Sequence, residues 1–424
     1  MRNAPYRPSR RSKPRGRTVV FSLACICLAA LFPFQACGRT GGSAAQPPHR
    51  NFRHAEPPAV SDLRSSYAAI DAGIRVGYFG PFQSDHDTDT SAWLAAEMAR
   101  EDVAGECLDG RILKLAPSWS DSPWTGGAAG LTDLIFRQQA VGIICGMDGE
   151  ATHLAETLVA KAHIPLLSAV STAKSVNLAN VPWTFSVLPG DHLIAPQLAV
   201  RLAASARSLA VISGPDHDSR GFWQELRPHL PADRIILAGL WTVQGIGTEE
   251  ERSLSEIAAK IVAASPDCVL VTAKPNSAGR AVAALRAAGY SGLIATDARG
   301  GRRAFLESAG DWAEGIICPL VVQPSDKLVD WFTRFESRFD RKADYAAAAA
   351  YDASCILFRA AIRASSPQEP FVDRANIVLA IRGLSPYSGI TGRIEWDDLG
   401  ANRRHAEVGV IRGGTLLPTP AAAD

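Results

Sequence analysis

From Gly73 onward the chain alternates short apolar runs with longer segments of helical spacing. RVGYF leads into SAWLAAEMARED, RILKLA into GLTDLIFRQQA, VGIIC into ATHLAETLVAKA, and IPLLSAV into a loop. A second series keeps the same rhythm: LAVIS, GFWQELRPHL, RIILAGLW, SLSEIAAKIVAAS, CVLVTA, SAGRAVAALRAAG, GLIATD and RRAFLESAG. This alternation predicts an α/β fold with parallel sheets covered on both faces by helices. Within AVAALRAAG, Val282 and Leu285 sit one turn apart, as a helix packed on a sheet requires. Two series predict two lobes, and in open sheets of this kind ligands gather beyond the carboxyl ends of the strands.

At that edge the tripeptide Asp-His-Asp occurs twice, as SDHDTD from Ser84 to Asp89 and PDHDSR from Pro215 to Arg220. Each copy follows the first strand of its series and precedes a helical segment. Together His86, His217, Asp85, Asp87, Asp216 and Asp218 are a ligand mix that a divalent ion accepts. Adjacent residues seldom converge on one ion, however, and Asp-rich turns before helices occur for capping alone. The repeat therefore reads as one strand-to-helix turn used once per lobe, with no metal, and with at least Asp87, Thr88 or Asp89 near a ligand.

The first 72 residues break the pattern. Seven Arg or Lys and no acid fill the first seventeen positions, and an apolar run follows from Thr18 to Phe34. Such a segment is an export signal, slightly short for a transmembrane helix of about 20 residues. It ends in FQAC, which resembles a bacterial lipoprotein box although Phe34 replaces the usual Leu; Cys37 would then carry the lipid, and residues 1–37 would be the signal and box. Residues 38–72, rich in Gly, Pro and Ser, read as a flexible tether; thirty such residues span about 30 Å. Removing residues 1–36 takes away seven positive charges, so the formal net charge falls from +1 to −6. No basic surface then remains to suggest nucleic acid. Of the eight cysteines, Cys107, Cys145, Cys268, Cys318 and Cys355 fall in the mature chain without Cys-x-x-Cys spacing, which argues against a zinc or redox motif. Most sit in apolar runs and read as buried small hydrophobes.

Several stretches together resemble the type I periplasmic binding proteins, in particular the branched-chain amino acid receptors of ABC transporters. They are IRVGYFGPF, VGIICG, HIPLLSAVSTAKSV, WTFSVLPGDHLIAPQLA, PDCVLVTAKPNSAGRAVAALRAAGY, AAAAAYDASCILFRAAI and SGITGRIEWDDLGANR, and the likeness covers about Gly73 to Gly414. The resemblance implies two Rossmann-like lobes joined by three hinge crossovers, near Pro189, Pro319 and Asp398. Lobe one would be 73–190 with 319–397, and lobe two 191–318 with 398–424.

It also implies where a ligand sits. In similar receptors hydroxyls and backbone amides of two lobe-one loops hold an amino acid carboxylate, an arrangement that exposed N–H groups at a helix start favour. Here the second loop offers Ser168, Val170, Ser171 and Thr172, whose ordinary alternative is turn and N-cap chemistry. The first loop reads MDGEAT, with Asp148 and Glu150 flanking the candidate Gly149 where the family shows a run of Ser, and an acid such as Asp148 there repels a carboxylate. Asp148 is thus either a cap or a ligand contact. Arg220 stands where many relatives place Tyr, so it would anchor a carboxylate or pair with Asp148 across the cleft; the alternative is a solvated Arg near a helix start. Lys274 and Asn276 would rim the same cleft. Asp297 matches an acid that relatives present to a ligand ammonium, a strong directional contact, and is the leading single candidate for the site, with a loop-capping Asp as the ordinary alternative.

No Gly-x-Ser-x-Gly elbow, His-Glu-x-x-His helix, Walker loop or Gly-x-Gly-x-x-Gly fingerprint occurs, so catalysis and cofactors are not expected. The expected function is capture of a small polar ligand such as an amino acid, outside the cytoplasm, for an ABC permease or a membrane sensor. The alternative is an envelope scaffold or sensory partner that keeps the fold and has lost amino acid binding.

Overall fold

The computed structural model describes residues 66–70, 72–83, 90–106, 110–120 and 123–419. The export segment, Cys37, Cys107 and the first Asp-His-Asp stretch lie outside these residues. The end of the expected tether does not behave as one. β1 (Tyr67–Ala69) buries Ala68 and pairs antiparallel with Phe371–Asp373. Arg374 fixes the pairing, its backbone N–H donating to the Ser66 carbonyl at 2.8 Å.

The first series forms a five-stranded, wholly parallel sheet from β2 (Ile74–Phe79), β3 (Leu113–Ser118), β4 (Ile143–Cys145), β5 (Leu166–Ser168) and β6 (Thr184–Ser186), in the order β3-β2-β4-β5-β6. The second series supplies β7 (Ser208–Ser213), β8 (Ile236–Thr242), β9 (Cys268–Thr272), β10 (Leu293–Thr296) and β11 (Ile317–Leu320). β12 is Phe371–Asp373, and a small hairpin joins β13 (Tyr387–Ser388) to β14 (Arg393–Ile394). β15 (Glu407–Arg412) and β16 (Thr415–Pro418) then complete a seven-stranded sheet, β16-β15-β11-β10-β9-β7-β8, antiparallel only along the β11, β15 and β16 edge. β11 lies whole in this sheet, so the chain leaves it after Leu320 rather than at 319.

Helices α1 (Ser91–Glu106), α2 (Ala128–Thr132), α3 (Gly149–Ala162) and α4 (Ser175–Leu178) follow strands of the first sheet. Those of the second are α5 (Asp191–Ser205), α6 (His217–Leu226), α7 (Thr248–Ala264), α8 (Pro275–Ala287) and α9 (Arg303–Ala309). The chain then returns to the first lobe with α10 (Asp326–Phe339), α11 (Tyr345–Ala364) and α12 (Arg374–Arg382). Alternation within single strands shows why both faces are covered. In β7 and β9, Leu209, Val211, Cys268 and Leu270 join one core, while Ala210, Ile212, Val269 and Val271 join another on the opposite face. A strand apolar on both faces has no solvent side to offer, which is why these runs lack polar alternation. Ala-rich α11 lies against β2, β4 and β5, its small residues from Ala346 to Ala350 fully covered.

Two crossovers run side by side, because Pro189 bridges Asn402 and the Asn402 amide donates to the Val187 carbonyl at 2.6 Å. The loops at the carboxyl ends of β4, β5, β7, β9 and β10 therefore face one another across the gap between the lobes.

Candidate functional site

Helix starts build the two walls. Asp148 caps α3, accepting from the Ala151 N–H at 3.1 Å, and Asp216 caps α6, accepting from the Ser219 N–H at 3.0 Å. Capping by Asp satisfies amides that a helix start leaves unbonded and brings a carboxylate to the positive end of the helix. Between the walls lies a cavity of about 680 Å³, lined from the first lobe by Met147, Asp148, Val170, Ser171, Thr172 and Tyr345. The second lobe contributes Asp216, Asp218, Phe222, Val243, Ile246, Glu250, Lys274, Asn276, Asp297 and Arg299 among others, and Asp191 enters from the crossover.

At the centre is an ion-pair cluster around Arg299. Its guanidinium donates to Asp297 at 2.6 Å, to Asp216 at 3.0 Å and to the Ser219 hydroxyl at 2.9 Å. Burial pushes the guanidinium pKa down, but the carboxylates of Asp297, Asp216 and Asp218 outweigh it and hold the group well above its usual value. For Asp216 burial acts upward, and Arg299 with Ser219 more than offsets it, leaving the carboxyl below the ordinary range.

Two other acids lack such a cation. Asp191 is 4% exposed, opens α5, and has a buried Oδ1 with no hydrogen-bond partner among the described residues. Burial raises its pKa well above normal; the Thr172 hydroxyl offsets part of this, while Asp218 and Asp297 add repulsion. Asp218 reaches across the gap, its Oδ2 accepting the Gly149 N–H at 2.9 Å. Burial and the Asp148 charge push it up to about 6, with Arg299 acting in the other direction. Its Oδ1 is buried and unpartnered as well. Gly149 is needed here, since a Cβ would collide with the Asp218 carboxylate and the Ala173 methyl.

Further polar bridges join the lobes nearby. Lys174 pairs with Glu225 at 3.1 Å. Glu156, His153, Ser175 and His217 form a chain with steps of 2.9, 2.8 and 3.1 Å, and the two imidazoles meet edge to face.

The expected site residues divide accordingly. Asp148, Val170, Ser171, Thr172, Lys274, Asn276 and Asp297 share the cavity. Gly149 is behind them, engaged with Asp218. Ser168 is fully buried at the end of β5 and is not on the wall. Arg220 neither lines the cavity nor meets Asp148; it is exposed and donates to the Pro215 carbonyl. Helix geometry gives the reason: Ser219, Phe222, Trp223 and Leu226 form the buried face of α6, and one residue past Ser219 turns about 100° away from it. Asp297 caps the turn that follows it and is occupied by Arg299. Sequence reading missed Arg299 and Asp191, although both carried a signal: one stands two residues after Asp297, the other opens a helix after Pro-Gly.

A family model described as periplasmic binding protein matches residues 73–410, and the chain belongs to that family. It is a solute-binding protein for a small ligand. Among solved structures, an ABC transporter substrate-binding protein from Desulfitobacterium hafniense in complex with Leu is 18% identical, with a TM-score of 0.67, covering 82% of this chain and 100% of that one. The branched-chain amino acid transporter substrate binding protein from Streptococcus pneumoniae, in complex with isoleucine, is 16% identical, with a TM-score of 0.71 and coverage of 81% and 97%. A solute binding protein from Rhodopseudomonas palustris in complex with benzoate is 16% identical, with a TM-score of 0.69 and coverage of 83% and 98%. At these identities the likeness is one of fold. No curated protein sequence matches the chain.

Proposed function

We propose that this chain is an extracytoplasmic receptor that captures a small polar ligand between its lobes and presents it to an ABC permease or a membrane sensor, without catalysis. The observation that carries the reading is the 680 Å³ cavity, walled by loops from both sheets. A ligand that touches both walls binds the closed arrangement preferentially and so shifts the lobes toward it. The leucine, isoleucine and benzoate complexes of the relatives support a small organic ligand. Val170, Ser171, Thr172, Lys274 and Asn276 are the proposed contacts among those expected from the sequence. The basic, then apolar, amino terminus supports export, with Cys37 as the proposed lipid attachment point. Loss of fatty-acid labelling in Cys37→Ala tests that attachment.

A second reading, an envelope scaffold without a ligand, draws on the bridges that the protein's own side chains already make across the gap. Thermal-shift screening of the purified protein against a broad small-molecule library separates the two. A ligand at 100 times its Kd raises stability by about 2.7 kcal/mol. Stabilisation by any member of the library supports the receptor; silence throughout leaves the scaffold.

A further inference from the structure

We propose that the ligand presents a cationic amine to this cleft, seated on Asp191 and Asp218, with no carboxylate beside that amine. The inference rests on the receptor reading and names its ligand class.

The helix start that would receive a ligand carboxylate is already filled. The Gly149 amide at the first position of α3 donates to Asp218, and the Ala151 amide donates to Asp148. A ligand carboxylate would have to displace the Asp218 oxygen and then lie among Asp148, Asp218 and Asp191. Arg299 offsets only part of that repulsion, because Asp297 and Asp216 claim the hydrogen bonds of its guanidinium from two sides. The remaining bases on the wall are engaged or placed elsewhere. Arg280 pairs with Glu250 at 2.6 Å, Arg302 pairs with Asp344 at 2.7 Å, and Lys274 stands exposed at the start of α8.

A cation meets the opposite situation. The Asp191 Oδ1 and Asp218 Oδ1 atoms are buried without hydrogen-bond partners among the described residues, and both residues line the cavity. An ammonium has three N–H donors and no acceptor, so one placed against both carboxylates would satisfy these oxygens and offset the charge that Asp218 sets against Asp191. Burial first, and then neighbouring carboxylates (Asp218 and Asp297 for Asp191, Asp148 and Asp216 for Asp218), hold both acids above their usual pKa, as expected where a positive charge is needed to complete the site. The rest of the cavity suits an apolar body, with Phe222, Val243 and Ile246 on its walls.

Matched compounds test this directly. Isothermal titration of the purified protein compares 3-methylbutylamine with leucine and 4-methylpentanoate, and phenethylamine with phenylalanine and 3-phenylpropanoate. Each trio keeps one skeleton and varies only the charged groups. The amines are expected to bind at least about tenfold more tightly than the matched amino acids, and the carboxylates not at all. Asp191→Asn, which keeps the shape and removes the charge, is expected to weaken amine binding about tenfold or more. Asp218→Ala frees the Gly149 amide and is expected to raise affinity for leucine relative to the unaltered protein. An amino acid binding as tightly as its amine, a carboxylate that binds, or two silent amines overturns the assignment. The first two of these leave the receptor reading standing, whereas silence across the whole library removes the receptor reading itself.

Discussion

Asp218 carries a charge at some cost to the fold. Its carboxyl titrates near 6 in the folded protein and near 4 in an unfolded chain. Between those values the folded state holds a proton that the unfolded state has released, so stability declines as pH rises through that window. Asp218→Asn keeps an acceptor for the Gly149 amide and removes the ionisation. It should therefore raise the Tm at pH 8, by up to about 2–3 kcal/mol of stability, and change little at pH 4. Scanning fluorimetry across pH reads the gap, and a gap independent of pH would refute this origin. Arg299 makes the converse case. With Asp297 and Asp216 only 5% and 11% exposed, Arg299→Met strands two carboxylates and should lose about 3–5 kcal/mol in chemical denaturation. Adding Asp297→Asn to that variant should recover part of the loss. Residue types that cap turns were legible in the sequence, because Asp before a helix has a local cause. Which acid would find Arg299 was not, since Asp216 and Arg299 come together only through the order of strands in the second sheet.

Between α3 and α6, close approach and charge act in different measure. The Lys174–Glu225 pair is partly exposed, at 40% and 22%, so a double-mutant cycle should give a coupling below about 1 kcal/mol. Gly149→Ala should do more harm than loss of that pair, because its methyl enters the space of Asp218 and Ala173 where neither helix can yield without parting the lobes. Loss of amine affinity together with a lowered Tm is the expected signature, since the clash with Ala173 lies within the first lobe and persists when the lobes part. Periodicity revealed both helices in advance, but not the side from which α6 would be read. Arg220 looked like the Tyr of similar receptors by position alone, and one step of helical rotation turns it to solvent while Asp218 faces the gap.

Across the molecule, the two-lobed plan was written in the two series of apolar runs, whereas the pairing of β1 with β12 joins segments some three hundred residues apart and left no local trace. Several polar bridges between the lobes come from the chain itself, among them Asp218 to Gly149, Lys174 to Glu225, His217 to Ser175 and Arg302 to Asp344. On the proposed receptor reading, closure is shared between protein and ligand. By small-angle scattering without added ligand, the triple variant Lys174→Ala, His217→Ala and Asp218→Ala should have a larger radius of gyration than the unaltered protein. Equal radii would show that these three bridges hold nothing beyond what the Arg302–Asp344 pair already holds.

Asp191 stands two residues after Pro189, which bridges Asn402, and its own N–H donates to the Thr172 carbonyl at 2.7 Å. On the proposed reading, the carboxylate that meets a ligand's charge thus sits beside the place where two crossovers are tied together. If so, no relay through the body of the protein is required, because the neutralised carboxylate and the tie between the crossovers lie two residues apart.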